Sequence, residues 1–204
     1  SDVCSSDLGH HMEAMLAAYG SGAAQTSHDR GDVLLNIDIG GGTTKLAVVE
    51  RGHVRHTAAI HIGGRLAVFD DTGRLTRLDP AGQHLASLAG YRWHLGDIVP
   101  REQVVRVAEW MADALVAALT RTTAGPEVDD LWLTEPLGVV GGVTGTMVSG
   151  GVGEYVYGRE DRDFGDLGIH MGRALRARLD AGRLPFPLLP AGECIRATAL
   201  GASE

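Results

Sequence analysis

The segment NIDIGGGTTK, residues 36–45, puts one carboxylate, Asp38, two positions ahead of Gly40, Gly41 and Gly42 and follows them with the hydroxyls of Thr43 and Thr44. Glycines lack a Cβ, so consecutive backbone N–H groups can approach an anion closely and positive φ is open to them; a glycine turn after a buried strand makes a phosphate nest. Asp38 at the strand end is placed to hold the waters of a Mg²⁺, an ion that keeps much of its hydration shell and needs few carboxylates. Taken alone, the three glycines fit a tight hairpin or bulge equally well. A second segment, MVSGGVGEYVYG at residues 147–158, brings Gly150 and Gly151 to another strand end and sets Glu154 where a ribose hydroxyl could meet it. Neither segment has the GK[ST] ending of a P-loop or the G-x-G-x-x-G spacing of a dinucleotide fold, so a different nucleotide architecture is required.

The elements that must position these residues follow from hydrophobic period. VLLNIDI reads as a strand covered on both faces. KLAVVERG and VRHTAAIHIG read as two more strands, joined by a turn around Gly52. RLAVFDDTGRLTRLD predicts a small hairpin about residues 71–73, and PAGQHLASLA a short helix. The strongest helix covers residues 100–121, with Val104, Val107, Ala108, Met111, Leu115 and Leu119 on one buried face. DDLWLTEPL and GTMVSGG are expected to be strands that end in loops, and DLGIHMGRALRARL a final helix. Upstream, Met12, Met15, Leu16 and Tyr19 predict one short helix ending at Gly20, followed by a polar link through residue 32. Residues 1–11 are polar, lack either hydrophobic period and are set aside as a non-native-looking leader. The resulting order, three strands and then helix, two strands and helix, is that of an α/β mixed sheet with packed helices and fits a ribonuclease-H-like unit.

With 204 residues, 44% hydrophobic and 22% charged, the chain has the composition of a globular domain. A net charge of −8 without single-sign runs argues against nucleic acid and anionic membrane as partners. Two cysteines, Cys4 and Cys194, make no disulfide framework, and the cytoplasm is the expected compartment.

NIDIGGGTTKLAVVE resembles the second phosphate motif of the actin, sugar-kinase and heat-shock-chaperone ATPase superfamily. MVSGGVGEYV resembles its adenosine motif, and CIRATALGAS its later connecting segment. More narrowly, GSGAAQ, NIDIGGGTTK, IHIGGRL, LTEPL, SGGVGEYVYG and IRATALGA, in that order, resemble the reactivating factors of ethanolamine ammonia-lyase. The resemblance implies an ATP- and Mg²⁺-dependent chaperone that releases damaged cobalamin from the inactivated lyase so that adenosylcobalamin can rebind. It implies catalytic parts for Asp38 and Thr43, with Asp38 at the metal. Gly40, Gly41, Gly42, Thr43 and Thr44 are expected at the phosphates, and Gly150, Gly151, Gly153 and Glu154 at the nucleoside. Lys45 departs from the family pattern and is expected to point to solvent.

That superfamily clamps nucleotide between two halves, and no first phosphate loop precedes residue 36. Residues 12–204 are therefore expected to form the second half of an actin-like ATPase domain, with hydrolysis depending on the other half. The alternative is a small-molecule kinase, or another actin-like ATPase, of the same superfamily. Three further features carry less. His53, His56 and His61 lack a completing carboxylate or cysteine for a metal. Trp93, Trp110 and Trp132 read as core or contact residues. Residues 63–75 could form a partner-binding hairpin or an ordinary surface one, with Gly64 expected to lie away from the nucleotide.

Overall fold

The computed structural model describes residues 2–120, 126–138 and 141–190. Its centre is a four-stranded mixed sheet in the order β3-β2-β1-β6, built from β1 (Val33–Ile39), β2 (Thr44–Glu50), β3 (His53–Ile60) and β6 (Val143–Ser149). The first three strands form the expected antiparallel meander, and β6 lies parallel to β1. Arg51 and Gly52, both at positive φ, make the two-residue loop between β2 and β3 that matches strand twist. A separate hairpin pairs β4 (Ala67–Phe69) with β5 (Leu75–Leu78), as the sequence predicts.

Strand alternation divides the sheet into two buried faces. Leu35, Ile37, Ile39, Leu46 and Ile60 point into the main core. There they meet α3 (Pro80–Leu88), α4 (Arg101–Thr120) and α7 (Gly168–Asp180). All six residues predicted for the apolar face of α4 are buried. Trp93 is buried edge-on to Phe69, with ring centroids 5.6 Å apart, so its place in the core agrees with expectation. The opposite face, carrying Leu34, Ala47, Val49 and Met147, is covered by Ala18, Ala23 and Ala24 from α1 (Asp2–Gly20) and α2 (Ala23–Arg30).

Four local expectations are corrected. Helix α1 does not begin at Met12: it continues back through the residues set aside, and His11 Nδ1 lies 2.6 Å from Thr57 Oγ1. Those residues have no apolar period, so their helicity carries no sequence signal. The polar link holds α2, whose small residues Ala23, Ala24 and Ser27 bury against the sheet without needing large apolar side chains. DDLWLTEPL is not a strand; it contributes an isolated bridge from Trp132 to Ile60, after a one-turn helix α5 (Pro126–Asp129). Finally, Gly150–Val156 is helix α6, not a loop. The predicted connecting segment at residues 194–203, with Cys194, lies outside the described residues. Among those described, no helix is long and apolar enough to cross a membrane.

Candidate functional site

Residues 40–43 form the turn between β1 and β2, closed by the Gly40 N–H bonding to the Thr43 carbonyl at 3.0 Å. None of Gly40, Gly41 and Gly42 has positive φ, so left-handed backbone is not what requires the triplet. The constraint comes instead from residues 63–65, which lie across the turn. The N–H of Gly64 donates to the Gly40 carbonyl at 2.9 Å and that of Arg65 to the Gly41 carbonyl at 2.7 Å. A Cβ on Gly63 would sit 2.5 Å from the Gly41 oxygen, so only glycine allows this approach.

The second glycine segment lies directly beside the first. Gly150 adopts φ +78°, and a Cβ there would fall 2.4 Å from the Ile39 carbonyl oxygen. β6 can therefore pass straight into α6 while pressed against the end of β1. Between them opens a cavity of ≈ 240 Å³ whose wall includes Gly40, Gly41, Gly151 and Glu154. Four predicted residues thus meet around one space, although they come from segments far apart in the chain. Gly42, Thr43, Thr44, Gly150 and Gly153 are not on that wall; Gly153 is buried within α6.

The same cavity contains residues the sequence did not single out. Gly64 and Arg65 line it, which corrects the expectation that Gly64 lies away from the candidate nucleotide segments. Val152, Tyr155 and Phe164 give it an apolar surface. The Arg162 guanidinium carbon lies 5.0 Å from the centroid of the half-exposed Phe164 ring, forming a cation–π platform. Arg162 also forks onto Glu160, with contacts of 2.7 and 3.0 Å, and this hydrogen bonding holds the Glu160 carboxyl down to about 2. The Tyr155 hydroxyl donates to the Arg162 carbonyl at 2.9 Å, and burial pushes its phenol up to about 12. Burial likewise raises the Asp166 carboxyl, which accepts the Gly168 N–H at 2.8 Å and lies 3.9 Å from Arg65. Most of these side chains sit in or beside GREDRDFGD, residues 158–166, whose polar composition reads as plain loop.

Asp38 has a different setting. It lies on the face covered by α1 and α2, is 8% exposed, and accepts a hydrogen bond from Ser149 Oγ at 2.7 Å. Ser149 Oγ in turn accepts from Asn36 Nδ2 at 3.3 Å, and Asn36 Oδ1 accepts from Ser21 Oγ at 3.0 Å. Burial raises the Asp38 carboxyl above its ordinary value, opposed by the Ser149 bond and by Lys45. Lys45 is Asp38's direct cross-strand partner. It does not point to solvent: it is 5% exposed, and its Nζ donates to Thr43 Oγ1 at 2.7 Å and pairs with Glu13 of α1 at 2.5 Å. Thr44 is fully buried, with its hydroxyl committed to the Ile62 carbonyl at 2.8 Å, so that side chain holds the fold rather than a phosphate.

Comparison with known proteins places this geometry in a family. The family model described as Ethanolamine utilisation protein EutA matches residues 3–204. The chain belongs to that family. Two curated members, both named ethanolamine ammonia-lyase reactivase EutA, are similar over 98% of the chain: that of Salmonella typhimurium at 32% identity and that of Escherichia coli K12 at 33%. The chain spans 43% of the length of each. Among solved structures, component A of the Acidaminococcus fermentans (R)-2-hydroxyglutaryl-CoA dehydratase is similar at 15% identity with a TM-score of 0.38, covering 95% of this chain and 64% of that one. The family match begins within the residues that sequence period alone set aside.

Asp38 offers Mg²⁺ or its waters at most one carboxylate oxygen that Ser149 does not hold. Mg²⁺ needs oxygen ligands free to coordinate it or its waters. Here one Asp38 oxygen is held by Ser149, and the neighbouring cation is a buried ammonium that also ties up Thr43 and Glu13. Among the described residues, no group of three or more His, Cys, Asp or Glu side chains forms a metal site, the histidines of β3 included.

Proposed function

We propose that this chain is the nucleotide-holding part of an ATP-dependent reactivating chaperone that releases damaged cobalamin from ethanolamine ammonia-lyase so that adenosylcobalamin can rebind. The observation that carries the reading is the cavity joining Gly40 and Gly41 to Gly151 and Glu154. Bare backbone with Arg65 on one side, and on the other an apolar floor bordered by Arg162 and the carboxylates of Glu154, Glu160 and Asp166, suit a ligand that is anionic at one end and flat at the other. In this reading the glycine turn and Arg65 take the phosphates, Glu154 takes a ribose hydroxyl, and Phe164 with Arg162 stacks on the base. Membership in a family whose curated members are named reactivases supports lyase as partner. Residues 12–204 then act as one half of an actin-like ATPase domain in the cytoplasm. Asp38 and Thr43, off the cavity wall, contribute by positioning the turn and Lys45 beside it.

Release of a tightly held cofactor requires a partner that binds the open, cofactor-free state of the lyase better than the closed one, with nucleotide setting that preference. The test is recovery of ethanolamine deamination by lyase carrying damaged cobalamin, after incubation with the reactivase containing this chain, ATP and fresh adenosylcobalamin. Recovery that depends on ATP supports the reading. ATP-dependent phosphorylation of a sugar or small alcohol without lyase recovery would replace it with the kinase; no observed feature favours that alternative.

A further inference from the structure

Beside the candidate nucleotide cavity lies a second and larger one, a cleft of ≈ 560 Å³ that the proposed function leaves unused. Residues 162–166 run between the two: Arg162 and Phe164 line the first, Asp163 and Gly165 the second, and Asp166 borders both. This wall is stitched to β4. The Phe69 N–H donates to the Gly165 carbonyl at 2.6 Å, Val68 bridges to Asp166, and a Cβ on Gly165, at φ +68°, would fall 2.3 Å from the Phe69 carbonyl oxygen. The cleft is thus separate from the nucleotide cavity although it shares the same backbone.

Its lining carboxylates, Asp70, Asp71, Asp163 and Asp166, face one guanidinium, that of Arg101, which is 72% exposed at the rim. Acidic residues alone make only a solvated edge; the observation that makes a site of them is His170. Its side chain is 9% exposed, lines the cleft and has no hydrogen bond among the described residues: Asp163 Oδ2 lies 3.9 Å from Nε2, too far for one. The same oxygen lies 3.9 Å from Arg101 Nη2, while Asp163 Oδ1 accepts the Gly165 N–H at 2.9 Å. Burial, outweighing the Asp163 carboxylate, holds the imidazole below its ordinary pKa, so the ring is neutral and keeps an acceptor lone pair. Asp163 Oδ2 and His170 Nε2 are therefore two acceptors spaced so that one nitrogen donor, ~2.8 Å from each, satisfies both. Phe69, Val99 and Val104 lie along the same cleft and offer an apolar track for a methylene stem.

We infer that this cleft receives a lysine or arginine side chain of a partner protein, with Asp163 and His170 as its acceptors. A protein side chain is favoured over a free amine by the size of the cleft and by Ile98, 63% exposed on its lining, which gives a neighbouring residue of the partner an apolar contact that a small cation would leave in water. In the proposed function that partner is the lyase; only the partner's identity rests on that reading.

The experiment is a titration of the 204-residue chain with N-acetyl-lysine methylamide and with its uncharged norleucine counterpart, followed through the imidazole NMR signals of His170. ADP titrations and capture of ethanolamine ammonia-lyase by the reactivase containing this chain run beside it. The lysine amide is expected to shift the His170 signals saturably and the norleucine amide to leave them in place. D163N keeps the Oδ1 acceptor for Gly165 and removes the charge, and H170L removes the second acceptor. Each is expected to weaken the lysine amide and the lyase by about tenfold, with ADP affinity within about threefold of wild type. Equal response to both amides, or to neither, would overturn the inference, as would a D163N chain that binds the lysine amide like wild type. Lysine-selective binding with lyase capture unchanged in D163N would overturn the assignment to that partner. Ethanolamine saturating the His170 signals at lower concentration than the lysine amide would replace the protein side chain with a free amine. Lysine-selective, D163N-sensitive binding by a chain that does not bind ADP would uphold the cleft and sink the nucleotide reading.

Discussion

Ser149 Oγ donates to Asp38 Oδ1 at 2.7 Å, tying the last residue of β6 to the carboxylate near the end of β1, its direct partner in the parallel register. The same hydroxyl accepts from Asn36. Replacing it in S149A strands a buried carboxylate oxygen and a buried amide together, and should cost about 1–3 kcal/mol in a urea melt.

Asp38→Asn should behave differently, because burial raises the Asp38 carboxyl pKa in the folded chain. A raised folded pKa means that the folded state binds the proton more tightly than the unfolded one. This contribution to stability is complete below the unfolded value, ~3.9, and is lost as pH rises through the folded pKa. At pH 7 D38N should therefore melt within about 1 kcal/mol of wild type, and its stability should fall less between pH 4 and neutrality. A D38N chain that is unfolded at pH 7 would show that the ionised carboxylate is needed for folding.

Gly150 and Gly151 are adjacent but not equivalent. Gly150→Ala meets both φ +78° and the Ile39 carbonyl at 2.4 Å, so a loss of about 3 kcal/mol or more is expected. A Cβ on Gly151 meets nothing within 4 Å, and Gly151→Ala should melt within about 0.5 kcal/mol of wild type while narrowing the cavity. Parallel denaturant melts of the two variants decide this.

At the turn, Gly41→Ala places its Cβ 3.5 Å from Arg65 Cβ, an ordinary contact, so folding should be retained within about 0.5 kcal/mol. ADP binding should still weaken by about tenfold, since the methyl stands on the cavity wall. Gly64→Val should lose stability and binding together, because its Cβ already falls 2.8 Å from Val152 Cγ2 and 3.1 Å from the Gly168 Cα. Calorimetric titration beside a thermal melt separates the two cases.

Arg178 forks onto Asp113, at 3.0 and 2.9 Å, and so clasps α7 to α4. That hydrogen bonding holds the Asp113 carboxyl below its ordinary value. A depressed folded pKa adds stability above the unfolded value, ~3.9, that disappears as pH falls through the folded pKa. The pair is partly solvated, so a double-mutant cycle with D113N and R178M should return under about 1 kcal/mol at pH 7 and nothing measurable once Asp113 is protonated.

Local chemistry determined a large part of this protein. The apolar runs at residues 33–39 and 44–60, broken by Gly52, specify a meander, and the spacing of Val104 through Leu119 specifies α4, because strand and helix periods differ enough to be read directly. The six motifs in order pointed to the family that the comparisons then returned. The two glycine segments were legible as parts of one site, and they do meet.

Tertiary structure decided which of their residues face the site. Alternation along β1 assigns Asp38 to one face and Ile39 to the other, but only the packing of α1 and α2 shows that Asp38's face is closed and shared with Lys45. Arg65, Arg162 and Phe164 reach the cavity through loops whose polar composition has no period to read. Gly63, Gly64 and Gly150 are required by backbone atoms that approach them from distant segments. Sequence period reports the face that an element buries; it carries no information on which distant segment covers that face, and in this chain that covering determines which carboxylate, ammonium and glycine can meet a ligand.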